Sequence, residues 1–239
     1  MNKLRSLGLV TLLLATGTVY AQSDDRAEIQ GRIMSLRGEL KVLEDEFLAP
    51  AALDYKNHAA FLEGPGSGLI RLLPREEFDK PEKSTVRGGG AYFSFVLLTH
   101  EYGQGSDIEL YNGEFSVGFA GGDYGFLGIV TDGDVKSVTL EHPAAQYLAS
   151  LSIPLKLAGA RMEQRRSGQG MIVDGIQYKG RAKALVGGTY VLRSINYDRW
   201  DILICFQAVR KDSDGSFILA WKMLRQFDKP VLERIPESY

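Results

Sequence analysis

The stretch that decides the fold is Asp107-Ile108-Glu109-Leu110-Tyr111-Asn112-Gly113-Glu114-Phe115-Ser116-Val117. Asn112-Gly113 supplies the two positive φ angles of a type I′ turn, whose twist matches that of paired antiparallel strands. With that turn Tyr111 faces Glu114, Leu110 faces Phe115, Glu109 faces Ser116 and Ile108 faces Val117. Ile108, Leu110, Phe115 and Val117 then share one face, while Asp107, Glu109, Glu114 and Ser116 share the other. Turn chemistry and side-chain alternation choose one register, so the stretch reads as a β-hairpin with an apolar underside.

A period near two continues on both sides of it. Residues 91–99 are apolar on both faces and read as a central strand. Gly121-Gly122 leads into a strand at 124–130, and Asp132-Gly133-Asp134 turns into another at 135–140. Pro143 opens a short helix over 143–151. Asp174-Gly175 marks a second hairpin between 171–173 and 176–178. The last stretch reads as a meander, 189–195, 201–209 and 216–224, with Asp212 to Gly215 as its final turn. Eleven Tyr, eleven Phe, two Trp and 27 Gly suit many strands joined by tight turns. Residues 86–239 should therefore be mainly β, an antiparallel sandwich or a closed barrel of about eight to twelve strands. Gly89-Gly90-Ala91-Tyr92 has an echo in Gly187-Gly188-Thr189-Tyr190, so two diverged halves, about 86–140 and 168–224, compete with plain reuse of turn residues.

An amphipathic helical arm, 22–63, precedes that body. Over 25–48 the apolar residues Ile29, Ile33, Leu36, Leu40, Leu43 and Phe47 alternate spacings of four and three, the spacing of a coiled coil. Ile29, Leu36 and Leu43 fall at d, and Ile33, Leu40 and Phe47 at a. In a parallel pair Arg32 would face Arg37 and Glu39 would face Glu44, like against like. Gly31 and Gly38 each weaken the helix by ~1 kcal/mol, so it needs a larger apolar surface to dock on. The expectation is packing on its own β domain or on another protein, not on a parallel copy. A second short helix runs from Pro50 to Leu62. Gly64-Pro65-Gly66-Ser67-Gly68 then opens a connector over 64–85, with a short strand at 69–73.

Residues 1–21 read as an export signal. Lys3 and Arg5 form a positive start, 7–18 is an apolar run, and Val19-Tyr20-Ala21 offers small residues at a cut before Gln22. The run is too short to span a bilayer and no second apolar stretch follows, so no transmembrane span is expected. The expected compartment is periplasmic or extracellular, in a bacterial setting. Cys205 is the single cysteine, which leaves no intrachain disulfide and no lipidated cysteine at the cut. A formal net charge of −2, more negative still without Lys3 and Arg5, argues against a nucleic-acid partner.

No motif anchors a known reaction, a cofactor or a metal. His100-Glu101 and Glu141-His142 could meet as an acid–base set, the least favoured reading being a hydrolase using His100 and His142. Asp212-Ser213-Asp214-Gly215 opens like a calcium loop but lacks the further oxygen ligands, and a hairpin turn explains it. Gly118, Gly121, Gly122 and Gly125 join no strand to a helix and read as turn glycines, not a phosphate cradle. Cys205 reads as a buried small hydrophobe. Two surfaces remain. Lys179, Arg181 and Lys183 alternate with small residues, with Arg161, Arg165 and Arg166 nearby, and form a basic stripe or a solvated strand face. Arg193, Tyr197, Arg199 and Trp200 crowd one turn, residue types enriched at interface hot spots. Trp200 folding back over the strand edge competes with that recognition role. The expectation is an exported, non-enzymatic binding or structural protein of the cell envelope or extracellular space, engaging an envelope or surface protein through that turn. The alternative is a β-barrel carrier of an apolar small ligand.

Overall fold

The Asn112-Gly113 turn forms as read, with φ of 50° and 72°. The computed structural model describes residues 17–100, 102–103, 105–131 and 133–233. Most of the expected export signal, residues 1–16, lies outside the described residues. In chain order the elements are α1 (Gly17–Leu48), α2 (Ala52–Asn57), α3 (Ala59–Leu62), β1 (Ser67–Leu72), α4 (Arg75–Phe78), β2 (Tyr92–Phe93), β3 (Ile108–Tyr111), β4 (Glu114–Ser116), β5 (Tyr124–Val130), α5 (Pro143–Ser150), α6 (Leu157–Gln169), β6 (Met171–Val173), β7 (Ile176–Lys179), β8 (Arg181–Lys183), β9 (Thr189–Asn196), β10 (Trp200–Lys211) and β11 (Phe217–Phe227). The chain divides into two compact units between Phe47 and Leu48.

The first unit holds α1 as far as Phe47, while α2 and α3 of the expected arm fall in the second. Helix α1 exposes Ile29, Ile33, Leu36, Leu40 and Leu43, and also Met34 and Val42 outside the heptad stripe. A Lys41–Asp45 ion pair and a Ser35–Glu39 hydrogen bond, both one turn apart, brace its polar side.

The second unit is a sandwich of antiparallel sheets. Seven strands run in the order β1-β11-β10-β9-β5-β7-β6, and four in the order β2-β3-β4-β8. The sheets stay open, so the closed barrel is set aside. Sheet register matches the reading of the hairpin: Tyr111 faces Glu114, Leu110 faces Phe115 and Glu109 faces Ser116. Ile108, Leu110, Phe115 and Val117 join Phe93, Tyr190, Leu192, Phe206 and Trp221 in the layer between the sheets. Aromatic rings pack closely in that layer, with Phe115 edge-on to Tyr190, Phe206 and Phe217.

The larger sheet is buried on its other face too. Tyr124, Phe126, Val191, Ile195, Leu203 and Cys205 pack beneath Val135, Val138, Ala144, Leu148 and Ala160 from the 131–142 loop, α5 and α6. That double burial is why β9 and β10 carry apolar residues on both faces. Strand pairing here requires a glycine: a Cβ at Gly125 would sit 2.3 Å from the Arg193 carbonyl oxygen across the β5–β9 pair.

Several elements differ from expectation, some for local reasons and some through tertiary contacts. The strand at 91–99 shrinks to β2, because Ser94 Oγ accepts the Leu97 N–H and Leu98 takes a φ of 56°. A strand at 135–140 is replaced by a turn, since the Asp134 carboxylate accepts the N–H groups of Lys136 and Ser137. Helix α6 carries no apolar stripe; its fully buried positions are Ala160 and Ser167, too small and too few to set a period. Asp107 and Glu109, on the polar face of the hairpin, are buried. Arg75 of α4, in the expected connector, reaches Glu109 (3.0 Å) and so roofs that face. β1, also in the connector, becomes an edge strand of the larger sheet. The echoing Tyr92 and Tyr190 lie on strands of different sheets.

Candidate functional site

The β9–β10 connection is a tight reversal, with Asn196 opposite Trp200 and residues 197–199 outside the ladder. The Arg199 N–H donates to the Asn196 carbonyl (3.1 Å), and Asp198 adopts a left-handed φ of 62°, which Asp tolerates.

Two buried polar groups fix this turn from opposite faces of the sheet. On the inter-sheet side the Asp107 carboxylate accepts from Ser194 Oγ (2.7 Å), Asn196 Nδ2 (2.8 Å) and Trp200 Nε1 (2.9 Å). Its other oxygen accepts from the Phe95 N–H (2.8 Å) and Ser94 Oγ (3.4 Å). Burial pushes Asp107 up to about 6, with the Trp200 and Ser194 donors holding it from rising further. On the helix side Arg193 makes a forked pair with Asp201, at 2.9 and 2.7 Å. The same guanidinium donates to the carbonyls of Leu148 and Leu151, where α5 ends, and lies 4.0 Å from the Phe227 ring centre. A cation is favoured at a helix C-terminus, so Arg193 caps α5 while it anchors β9.

Above these supports lies an open cleft of about 400 Å³ lined by residues 120–123, 197–199 and Leu232. Asp123 Oδ1 accepts the Tyr197 N–H (2.9 Å), and Tyr197 Oη donates to the Pro154 carbonyl. Gln164 of α6 donates to the carbonyls of Gly121 and Asp123, both at 2.9 Å, and so fixes the glycine side of the cleft. The Asp198 N–H donates to the Pro230 carbonyl (2.8 Å), which holds the C-terminal segment as the far wall. Burial pushes Asp123 up to about 6; the Tyr197 N–H and Arg199 oppose the shift, and Asp198 adds to it. Burial likewise pushes the Tyr197 phenol up to about 12. Two carboxylates, a guanidinium and a phenol ring thus border one depression, suited to a polar group that both donates hydrogen bonds and carries negative charge.

Of the four residues singled out in the sequence, Tyr197 and Arg199 line this cleft. Arg193 and Trp200 are buried beneath the turn and support it. Asp123 and Leu232 were not read as site residues. The Gly121-Gly122-Asp123 run was visible only as a turn, and nothing local to Leu232 places it across from Arg199.

The other candidates are placed elsewhere. His100 Nε2 sits 2.8 Å from the Arg71 carbonyl oxygen and edge-on to Phe93, whereas His142 Nδ1 accepts the Ala144 N–H and caps α5. The structure does not bring the two imidazoles together; Glu101 lies outside the described residues. Among the described residues no cluster of three or more His, Cys, Asp or Glu could hold a metal. Asp212 and Asp214 are matched by Arg210 and Arg71. Cys205 is fully buried, and burial pushes its thiol up to about 12, far from a reactive thiolate. Arg181 and Lys183 are exposed on β8, an edge of the smaller sheet, with Arg161 and Arg165 exposed on α6. Arg166 instead pairs with Glu163 and donates to Tyr147 Oη (2.7 Å). Compared with protein-family models, with curated proteins and with solved structures, the chain matches none.

Proposed function

We propose that this is an exported binding protein of the cell envelope or extracellular space, which recognises its partner through the cleft beside the 197–199 turn. The observation that carries the reading is the cleft itself: Tyr197, Arg199 and Asp123 border it, and the turn is pinned from below by Asp107 and Arg193. Loops held by a rigid sheet are where recognition concentrates, and a turn fixed on both faces is already organised for binding. Export is supported by the basic start, apolar run and small residues of 1–21. Among the described residues no helix is long and apolar enough to cross a membrane.

Arg199→Ala and Asp123→Asn test the site without disturbing the core, because Arg199 is exposed and Asn keeps the acceptor for the Tyr197 N–H. With the purified protein as bait for envelope and surface proteins, quantified by mass spectrometry, the specific partner should fall at least about tenfold with Arg199→Ala, the loss of one charge-assisted contact. Equal capture by wild type and both variants would contradict the reading.

A further inference from the structure

The arm carries an interaction surface independent of the cleft, and we infer that a second copy of this chain covers it in antiparallel orientation. Ile29, Ile33, Leu36, Leu40 and Leu43 project from one side of α1 and are between 44 and 62 % exposed. Helices presenting such a seam bury it by knobs-into-holes packing, so the question is which orientation the flanking charges permit. A parallel pair sets Arg32 against Arg37 and Glu39 against Glu44 on both sides of the seam, with no opposite pair to offset them. Inverting one helix changes the neighbours. In an antiparallel pair a layers meet d layers, g faces g and e faces e.

One register then matches every apolar position: Leu36 meets Leu40, Ile33 meets Leu43 and Ile29 meets Phe47, each contact occurring twice by symmetry. Arg32 at g now faces Glu46 at g of the second copy, twice, and Gln30 at e faces Glu44. Like charges meet only at the two-fold, where Glu39 faces Glu39 and Arg37 faces Arg37. Two attractive and two repulsive contacts replace four repulsive ones. Gly31 and Gly38 fall at f, on the outer side, where nothing lies within 4 Å of an added Cβ. The seam spans less than three heptads, and the antiparallel register uses all of it with no apolar overhang.

The purified full chain decides this by sedimentation equilibrium over a concentration series, in wild type and in a Gly31→Ala/Gly38→Ala background that favours the helix. A mass twice that of the chain is expected in both. Arg32→Glu should shift the equilibrium toward monomer at least several-fold, and Arg32→Glu/Glu46→Arg should restore it, since the pair is only reversed. A parallel pair would instead be strengthened by Arg32→Glu, which removes the Arg32–Arg37 clash. Oxidative cross-linking gives a second readout. A mixture of Ile33→Cys and Leu43→Cys chains should couple, and neither alone should, with the buried Cys205 taking no part. A monomer throughout, tightening by Arg32→Glu, or efficient coupling of either single variant with itself would each overturn the proposal.

Discussion

At the scale of single residues, Asp107 governs the turn. Its five donors come from Ser94, Phe95, Ser194, Asn196 and Trp200, so one carboxylate joins both sheets. Asp107→Asn keeps one acceptor oxygen but turns an NH2 toward the Phe95 N–H, leaving a buried donor unpaired at a cost of about 1–3 kcal/mol. The pH dependence has a definite sign. The folded carboxyl is raised from 3.8 to about 6, so its proton-linked stabilisation is complete below about pH 3.8 and is lost as pH rises through about 6. The wild type therefore gains on the variant as pH falls from about 7 to about 5. Denaturant titrations at both pH values should show the gap widening; a gap that narrows on acidification would contradict this assignment. The role of Asp107 was not legible in the sequence. Alternation placed it on the hairpin's polar face, and its donors lie on distant strands.

At the scale of elements, the hairpin joins a legible turn to a legible face. Ile108, Leu110 and Phe115 are essentially inaccessible to solvent and Val117 nearly so. Each contributes ~1.5–3 kcal/mol when buried. One residue inserted between Asn112 and Gly113 slips the register and should lower the melting temperature by many degrees in a thermal scan; an unchanged melting temperature would mean the pairing does not hold the core. Elements with their own punctuation were readable: the Asp174-Gly175 hairpin, the Pro143 helix and the three long C-terminal strands. Those set by tertiary contacts were not. Helix α6 is held by small residues against the larger sheet, and the turn at 94–99 forms because Ser94 and Asp107 capture backbone N–H groups that a strand would have used.

At the scale of the whole molecule, the sandwich follows from a run of half-buried and fully buried strands, and the choice against a barrel rests on pairing between edges that no local pattern encodes. The candidate site was half legible: residue chemistry pointed to the turn with Tyr197 and Arg199, Arg193 was read with them but is buried beneath the turn, and Trp200 is buried as its fold-back reading had it. Asp123 joins them only because β5 lies beside β9. The export proposal predicts that mass spectrometry of the protein recovered outside the cytoplasm finds Gln22, as such or cyclised, at the N-terminus; an intact 1–21 segment would point to an uncleaved anchor. The central claim is that the cleft beside 197–199 is where the partner binds. A photoreactive side chain in place of Asp198 tests it most directly, with the same probe at the exposed Ile172 of edge strand β6 as a control. Irradiation with envelope proteins should yield a discrete adduct from position 198, abolished by adding Arg199→Ala, and none from 172. Equal adducts from both positions, or an adduct from 172 alone, would contradict the account.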